Sequence, residues 1–206
     1  MGYRKDLMLK NVESIDHNIE ITDSKFTFKT KLDLIFEETM DLTSYHNFSV
    51  KDLNGMEYFR CSYYNDDIVV YSIYNEPICH ICYTSPFKNK QPIYKGEKGE
   101  ESIAYINDKE SNVGEKFTVI LTNLVNEQTE KLDMNCDMNF HCCGIFYGKE
   151  KSGSPMVCKI IKNLYYTNYY KVEIAAGIDA PLMMALTCFF MKKSVKENKE
   201  KYPEGK

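Results

Sequence analysis

The chain lacks several features that would place it in common protein classes. Its first residues carry no apolar segment of the kind that opens a secretory signal. It has no basic excess, since 26 Lys and Arg stand against 30 Asp and Glu, and this balance argues against a general nucleic-acid binder. The uncharged run at residues 180–191 is shorter than the roughly 20 residues that a membrane-spanning helix needs. We therefore expect a cytoplasmic protein with no nucleic-acid partner and no transmembrane span.

The chain also lacks two separate Cys-x-x-Cys pairs, which would be a strong zinc signal. Cys79-His80-Ile-Cys82 and His141-Cys142-Cys143 together hold enough ligands for a metal ion. On a strand, however, Cys79 faces away from His80 and Cys82, and the second cluster is split in the same way. The prediction is therefore no metal site, with the eight cysteines reduced and buried.

No arrangement of residues points to nucleophilic catalysis. Gly153-Ser154-Pro is not a nucleophile elbow, and the four histidines are scattered without a Ser-His or Cys-His spacing. We expect a protein that is not an enzyme and that has no cofactor.

What the sequence does contain is one segment that is apolar on every side. Residues 182–191 place large apolar side chains all around a helix, and Asp179 and Pro181 suit its N-cap and first turn. A helix without a polar face must be buried, and this one is too short for a bilayer. The sequence therefore predicts a helix in the protein core.

The remaining chain reads as short strands. Apolar and polar residues alternate over residues 26–36, and further strands are predicted at 48–50, 56–63, 68–74, 78–83, 102–106, 116–125, 130–135, 138–147, 156–162 and 169–175. A closed antiparallel barrel leaves no free edges and can surround a buried helix if it has more than eight strands. The predicted fold is mainly β, a closed antiparallel barrel of about twelve strands around the C-terminal helix.

Three segments resemble the LURP-one-related family of the tubby C-terminal-like superfamily, which also contains the phospholipid scramblases. They are residues 48–55 (FSVKDLNG), the hairpin at residues 140–162, and the ending at residues 170–182 (YKVEIAAGIDAPL), where a last strand runs through a Gly and an Asp into the apolar helix. The resemblance covers residues 25–195. It implies a twelve-stranded barrel around a central helix and a non-enzymatic role, with phosphoinositide binding among the tubby-like relatives.

The four lysines of the late hairpin are the candidate site. Lys149 and Lys151 fall in the turn at residues 148–155, Lys159 lies on the following strand, and Lys162 lies at its end. Lys159 should point outward if Cys158 and Ile160 face the helix. Two interpretations stay open: a solvated face, or a site for an anionic headgroup, since a few convergent lysines can hold a phosphate.

The sequence thus predicts a polar lead-in at residues 1–24 with one short strand at 7–12, a barrel domain at residues 25–195 and a charged tail at 196–206. The expected function is non-catalytic binding of an anionic, phosphoinositide-like lipid headgroup or of a protein partner, in the cytoplasm or peripherally at a membrane. The alternative is a scramblase-like protein that acts on bilayers.

Overall fold

A computed structural model describes residues 2–39, 46–64, 67–82, 90–96, 101–111, 114–166 and 169–201, with side chains up to residue 195. The predicted charged tail lies outside the described side chains, and of it only the helix backbone to Lys201 is described.

Twelve antiparallel strands form a closed barrel, which confirms the predicted fold class. Each strand pairs with its neighbours in chain order, and β1 closes the barrel by pairing with β12, from Leu32 opposite Ile174 to Glu37 opposite Tyr169. The strands are β1 (Leu32–Thr39), β2 (His46–Asp52), β3 (Glu57–Tyr64), β4 (Asp67–Ser72), β5 (Pro77–Cys82), β6 (Lys90–Lys95), β7 (Ser102–Lys109), β8 (Lys116–Thr122), β9 (Thr129–Cys136), β10 (Cys142–Tyr147), β11 (Met156–Lys162) and β12 (Tyr169–Ile174).

Helix α2 (Ala180–Lys201) runs through the barrel, as the sequence predicts. Its side chains from Leu182 to Met191 are all buried, because the inward residues of the strands surround them. Phe117 of β8 packs edge-on against Phe189 with ring centres 4.9 Å apart. The one hydroxyl in this stretch, on Thr187, donates to the Met183 carbonyl at 2.8 Å, so no polar group there lacks a partner.

Residues 13–30 cross the end of the barrel where α2 begins, which we call the capped end. The Ile19 amide donates to the Gly177 carbonyl at 2.8 Å, and the Asp179 amide donates to the Ile19 carbonyl at 2.9 Å. Gly177 has a positive φ of 81°, which lets the chain turn from β12 into α2. Ile19 and Ile21 are fully buried, so this segment belongs to the core.

Asp179 fastens this segment to α2. One carboxylate oxygen accepts hydrogen bonds from the Ile21 amide, the Thr22 amide and the Thr22 hydroxyl at 2.8–3.0 Å, and the other accepts the Leu182 amide at 3.0 Å. Burial raises the pKa of Asp179, although these hydrogen bonds act in the opposite direction. Asp179 is therefore both the N-cap of α2 and the anchor of the N-terminal segment.

The first residues form a helix, α1 (Gly2–Leu9), and the strand predicted near residues 7–12 is wrong. Leu7 is buried against Cys142, Phe146 and Met156 on the outer face of the barrel. Gly144 allows this close approach, since a Cβ there would lie 2.9–3.0 Å from Met156, Phe146 and Leu7 atoms. The helix is short and depends on this packing, which sequence periodicity does not report.

The strand predicted at residues 26–36 begins only at Leu32. Ser24–Phe26 instead forms a 3-10 turn capped by the Asp23 side chain, which accepts the Lys25 amide. Phe26 still contacts the core, with its ring 5.7 Å from that of Phe59. The apolar alternation is real, but burial at the capped end produces it rather than a continuous strand.

Strand β6 is not among the strands predicted from the sequence, and it contains Pro92. Proline donates no hydrogen bond and normally argues against an inner strand. Here the pairing of β5 with β6 stops at Ile93, opposite Ile81, and Pro92 lies just beyond it. The missing donor therefore leaves no gap in that ladder.

All eight cysteines are buried and free of disulfides. Cys79, Cys143 and Cys158 face the core, while Cys142 lies outside the barrel under Leu7. Burial raises the pKa of Cys61, Cys79, Cys143 and Cys158 well above the usual value, so their reactive thiolate forms are scarce.

The thiols should therefore react only when the protein unfolds. We expect eight thiols to titrate in denatured, unreduced protein, and the native protein to react at least ~10³-fold more slowly, as a global stability of about 5 kcal/mol or more requires. Labelling with a thiol reagent followed by mass spectrometry measures both. Fast labelling of Cys61 or Cys188 in native protein would contradict the closed packing of α2 against the wall.

Candidate functional site

A cleft of about 870 Å³ opens on the outer face of the barrel, near the end where α2 leaves. Five elements build it: α1, the facing ends of β7 and β8, the outer face of β9, and the turn between β10 and β11. We call it the lysine cleft, and its lining residues are Tyr3, Lys109, Glu110, Ser111, Lys116, Asp133, Asn135, Lys149, Glu150 and Lys151.

The turn after β10 places Lys149 and Lys151 at this cleft. Gly148 reverses the chain at a φ of 96°, and Glu150–Ser152 forms a 3-10 turn that ends at Gly153, also at positive φ. The side-chain amide of Asn135 donates a hydrogen bond to the Glu150 carboxylate at 2.8 Å, and this bond holds the turn over β9. Both lysines are exposed at the cleft rim.

Two carboxylates of the lysine cleft already have partners. Asp133 accepts Lys109 Nζ at 2.8 Å, and Glu150 accepts the Tyr3 hydroxyl at 2.8 Å in addition to Asn135. Burial and the Glu150 hydrogen bond raise the pKa of Tyr3 far above its usual range, so its hydroxyl stays a neutral donor. Asp133 is therefore neutralised by Lys109, whereas Glu150 keeps its negative charge, because Tyr3 and Asn135 are neutral donors.

Lys116, Lys149 and Lys151 have no ion pair with any residue that the structure describes. Lys116 lies directly opposite Lys109 in the pairing of β7 with β8, and like charges in that position are unfavourable. Lys109 forms an ion pair with Asp133, while Lys116 Nζ lies 5.8 Å from the centre of the Tyr3 ring. Four lysines and three carboxylates, Glu110 among them, line the cleft, so it keeps an excess of one positive charge that an incoming anion would balance.

Lys159 does not belong to an exposed site, although the headgroup interpretation of the four lysines requires it to. It does point out of the barrel, but the N-terminal segment covers it and leaves it 5% accessible. Its Nζ donates to the Lys10 carbonyl at 3.0 Å and lies 3.4 Å from Glu173. Burial opposes ionisation of Glu173, yet the hydrogen bond from Lys31 and the charges of Lys159 and Lys171 hold its pKa below the usual range.

Lys162 lies apart from the lysine cleft, at the end of β11. It is partly buried, and its Nζ is 3.4 Å from the Ser194 hydroxyl of α2. Burial lowers the pKa of Lys162. Of the four lysines that the sequence brought together, the structure therefore places two, Lys149 and Lys151, in one site.

A second cleft, of about 770 Å³, lies on the outer face of β2–β4. Its cations are already engaged there: Arg60 donates to Glu57 at 2.9 Å and to Asn75 at 2.9 Å, and Lys51 lies 3.6 Å from Glu37. The hydrogen bond and charge of Arg60 lower the pKa of Glu57, which keeps this pairing intact at neutral pH. This cleft is less suited to an anion.

Other kinds of site were also considered. Within the described ranges, His, Cys, Asp and Glu form no group of three or more arranged to hold a metal ion. Neither α1 nor α2, as far as it is described, has the length and apolar character that crossing a bilayer requires.

A sequence profile of the LURP-one-related family matches residues 19–191, from the capped end through the last buried turn of α2. The chain belongs to the LURP-one-related family. A solved X-ray structure of an Arabidopsis thaliana protein has a similar fold, with a TM-score of 0.60 over 84% of this chain and 97% of that chain, at 12% identity. No curated protein sequence gives a significant match.

Two residues of the lysine cleft in this LURP-one-related barrel, Lys109 and Lys116, were not found from the sequence. Their approach depends on the exact pairing of β7 with β8 around residues 110–115, where the predicted strands ended at residue 106 and began at 116. The sequence signal that could have indicated them is that Lys109 and Lys116 flank a short polar connection between two predicted strands. Tyr3 could not be assigned, because it reaches the cleft only through the docking of α1.

Proposed function

We propose that the protein is a non-catalytic binding domain that takes an anionic, phosphoinositide-like lipid headgroup into the lysine cleft at a cytoplasmic membrane surface. The observation that carries the proposal is the convergence of Lys116, Lys149 and Lys151 on a cleft in which lysines outnumber carboxylates and Asp133 is already paired with Lys109.

The chemistry of the cleft matches a phosphate group. Ammonium groups donate strong charge-assisted hydrogen bonds to phosphate oxygens, and each lysine near an anionic membrane surface contributes about 1 kcal/mol. The cleft volume of about 870 Å³ falls within the usual range of small-ligand sites, about 300–1,000 Å³. Since the whole chain has a net charge of −4, attraction must come from this local cluster and not from the overall charge.

We expect the double substitution Lys149→Glu, Lys151→Glu to weaken binding at least ~30-fold, because removing two lysines costs about 2 kcal/mol and reversal costs more. Binding is measured by sedimentation with phosphatidylcholine vesicles that contain phosphatidylinositol bisphosphate, at low salt and again at about 0.5 M salt. High salt should abolish binding of the wild-type protein, since the Debye length falls well below about 10 Å.

The matched control is Lys29→Glu, Lys95→Glu, which changes the net charge equally through two exposed lysines at the capped end. It should bind vesicles like the wild type. Lys159 is left unchanged, because a carboxylate there would be buried against Glu173. If wild-type protein shows no preference for anionic vesicles at low salt, the lipid proposal fails and a protein partner becomes the better hypothesis.

The scramblase-like alternative is tested with the same vesicles. The vesicles carry a fluorescent lipid, and a membrane-impermeant reductant bleaches only the label in the outer leaflet. The rate at which the remaining fluorescence is lost therefore measures transfer of lipid from the inner to the outer leaflet. We expect the wild-type protein to bind without accelerating this transfer. Acceleration that scales with bound protein would support the alternative.

A further inference from the structure

The two ends of the barrel carry different connections between strands. Because neighbouring strands are antiparallel, alternate connections lie at the same end. The β2–β3 and β4–β5 turns share the capped end with the start of α2, while the β7–β8, β9–β10 and β11–β12 connections lie where α2 leaves. Contacts of the last helical turns agree with this: Lys193 lies 3.8 Å from Asp108 near the end of β7, and Ser194 contacts Lys162 at the end of β11.

Both ends of the barrel expose large apolar side chains, and those of the exit end lie in two of its connections. Leu164, Tyr165 and Tyr166 in the β11–β12 connection are 55–94% exposed, and Met138 in the β9–β10 connection is 64% exposed. We call these four residues the exit tip. The backbone at the tip is held in place, since the Asn163 side chain accepts the amides of Tyr165 at 2.8 Å and Tyr166 at 3.2 Å. The turn therefore presents the aromatic rings outward.

The exit tip lies beside the lysine cleft. The Lys162 amide donates to the His141 carbonyl at 2.8 Å, which joins the base of the β11–β12 connection to the β9–β10 connection. Arg4 of α1 lies 3.4 Å from the His141 ring, and its neighbour Tyr3 lines the cleft. Lys109 and Lys116 of the cleft thus lie at the same end as the exit tip, and the β10–β11 turn brings Lys149 and Lys151 toward them across the outer face of β9.

We infer that the exit tip inserts into the interfacial layer of an anionic bilayer while the adjoining lysine cleft takes a headgroup from that same bilayer. Tyrosine suits this position, because its ring is apolar and its hydroxyl can stay hydrated at the headgroup level. Lys116, which has no ion pair among the described residues, complements anionic lipids at this end, and its charge would not favour an apolar protein groove. This inference rests on the proposed function, since binding of a headgroup in the cleft is what selects an anionic bilayer.

The absence of tryptophan allows a direct test of insertion. In Tyr165→Trp the introduced indole is the single tryptophan of the chain, so its emission reports one site. Upon addition of vesicles containing phosphatidylinositol bisphosphate, we expect its emission to shift to the blue and to be quenched by brominated acyl chains. Tyr74→Trp, on an exposed turn of the capped end, is the control and should show neither change.

Affinity provides the second measurement. The triple variant Leu164→Ser, Tyr165→Ser, Tyr166→Ser should bind these vesicles at least tenfold more weakly, yet bind soluble inositol trisphosphate like the wild type in calorimetry. The matched control Leu53→Ser, Met56→Ser, Tyr74→Ser removes three side chains that are 63–78% exposed at the capped end, and should retain both activities.

The outcomes separate the two proposals. If the triple exit-tip variant binds vesicles like the wild type, or the indole of the Tyr165→Trp variant stays in water, the insertion is overturned and the headgroup site stands. If the triple variant loses the soluble headgroup as well, the tip acts through the cleft and the inference is also overturned. If wild-type protein binds neither vesicles nor inositol trisphosphate, the proposed function itself fails, and the inference with it.

Discussion

A chain that ends at Ala176 is expected to show no cooperative thermal transition. Removing α2 takes from the barrel the seven large apolar side chains between Leu182 and Met191, whose burial contributes up to roughly 10–20 kcal/mol. This exceeds or equals the whole stability of a typical domain, about 5–15 kcal/mol. Circular dichroism in the near ultraviolet should show lost tertiary packing, and a heating scan should show no sigmoidal melt.

A point substitution tests the same helix without shortening the chain. Leu186→Asp should cost about 4 kcal/mol or more, because it places a carboxylate where no partner can reach it. Val195→Asp, on the exposed part of α2, is the matched control and should cost less than about 1 kcal/mol. A cooperative melt of the chain that ends at Ala176 would refute the role of α2 as the core.

The second large effect is expected from Asp179→Ala, which should lower the free energy of unfolding by about 3–6 kcal/mol. It leaves the amides of Ile21, Thr22 and Leu182 and the Thr22 hydroxyl without their acceptor, and a buried unsatisfied donor costs about 1–3 kcal/mol. The segment at residues 13–30 can shift and recover part of this, so the four costs do not add in full. Urea denaturation monitored by tyrosine fluorescence provides the measurement.

Asp23→Ala is the control, since Asp23 caps only an exposed 3-10 turn and its loss should cost about 1 kcal/mol or less. The pH dependence gives a further check on Asp179. Its folded pKa is raised, so the stability linked to it is fully present below the unfolded pKa of about 4 and decreases as pH rises through the folded pKa. Asp179→Asn does not titrate, and its deficit relative to the wild type should therefore shrink from acid to neutral pH. A deficit that grows with pH would contradict this assignment.

The sequence predicted the parts of the fold that depend on local pattern. The start of α2 followed from Asp179 and Pro181, and β7, β8 and β11 lie where strands were predicted at residues 102–106, 116–125 and 156–162. What it could not supply depends on contacts between distant segments. Helix α1 exists because Leu7 finds a pocket beside Gly144, and Pro92 is tolerated in β6 because the ladder with β5 ends there.

The candidate site, too, could be predicted from the sequence only where it depends on local pattern. Lys149 and Lys151 could be placed from the sequence, because glycines on either side mark the turn that carries them. The burial of Lys159 could not, since it follows from the path of residue 10 across β11 and β12. Lys116 joins the site through strand register, which alternation does not fix when the connection contains several polar residues.

Closure of the barrel through β1 and β12 determines when folding can finish during synthesis. Leu32 cannot pair across the closure until Ile174 has been synthesised. The interior of the barrel also stays unfilled until the residues through Met191 have left the ribosome. Contacts between such distant segments form slowly, and the incomplete barrel exposes unpaired strand edges in the meantime. We therefore expect a chain whose synthesis stops before α2 to aggregate when the ribosome releases it.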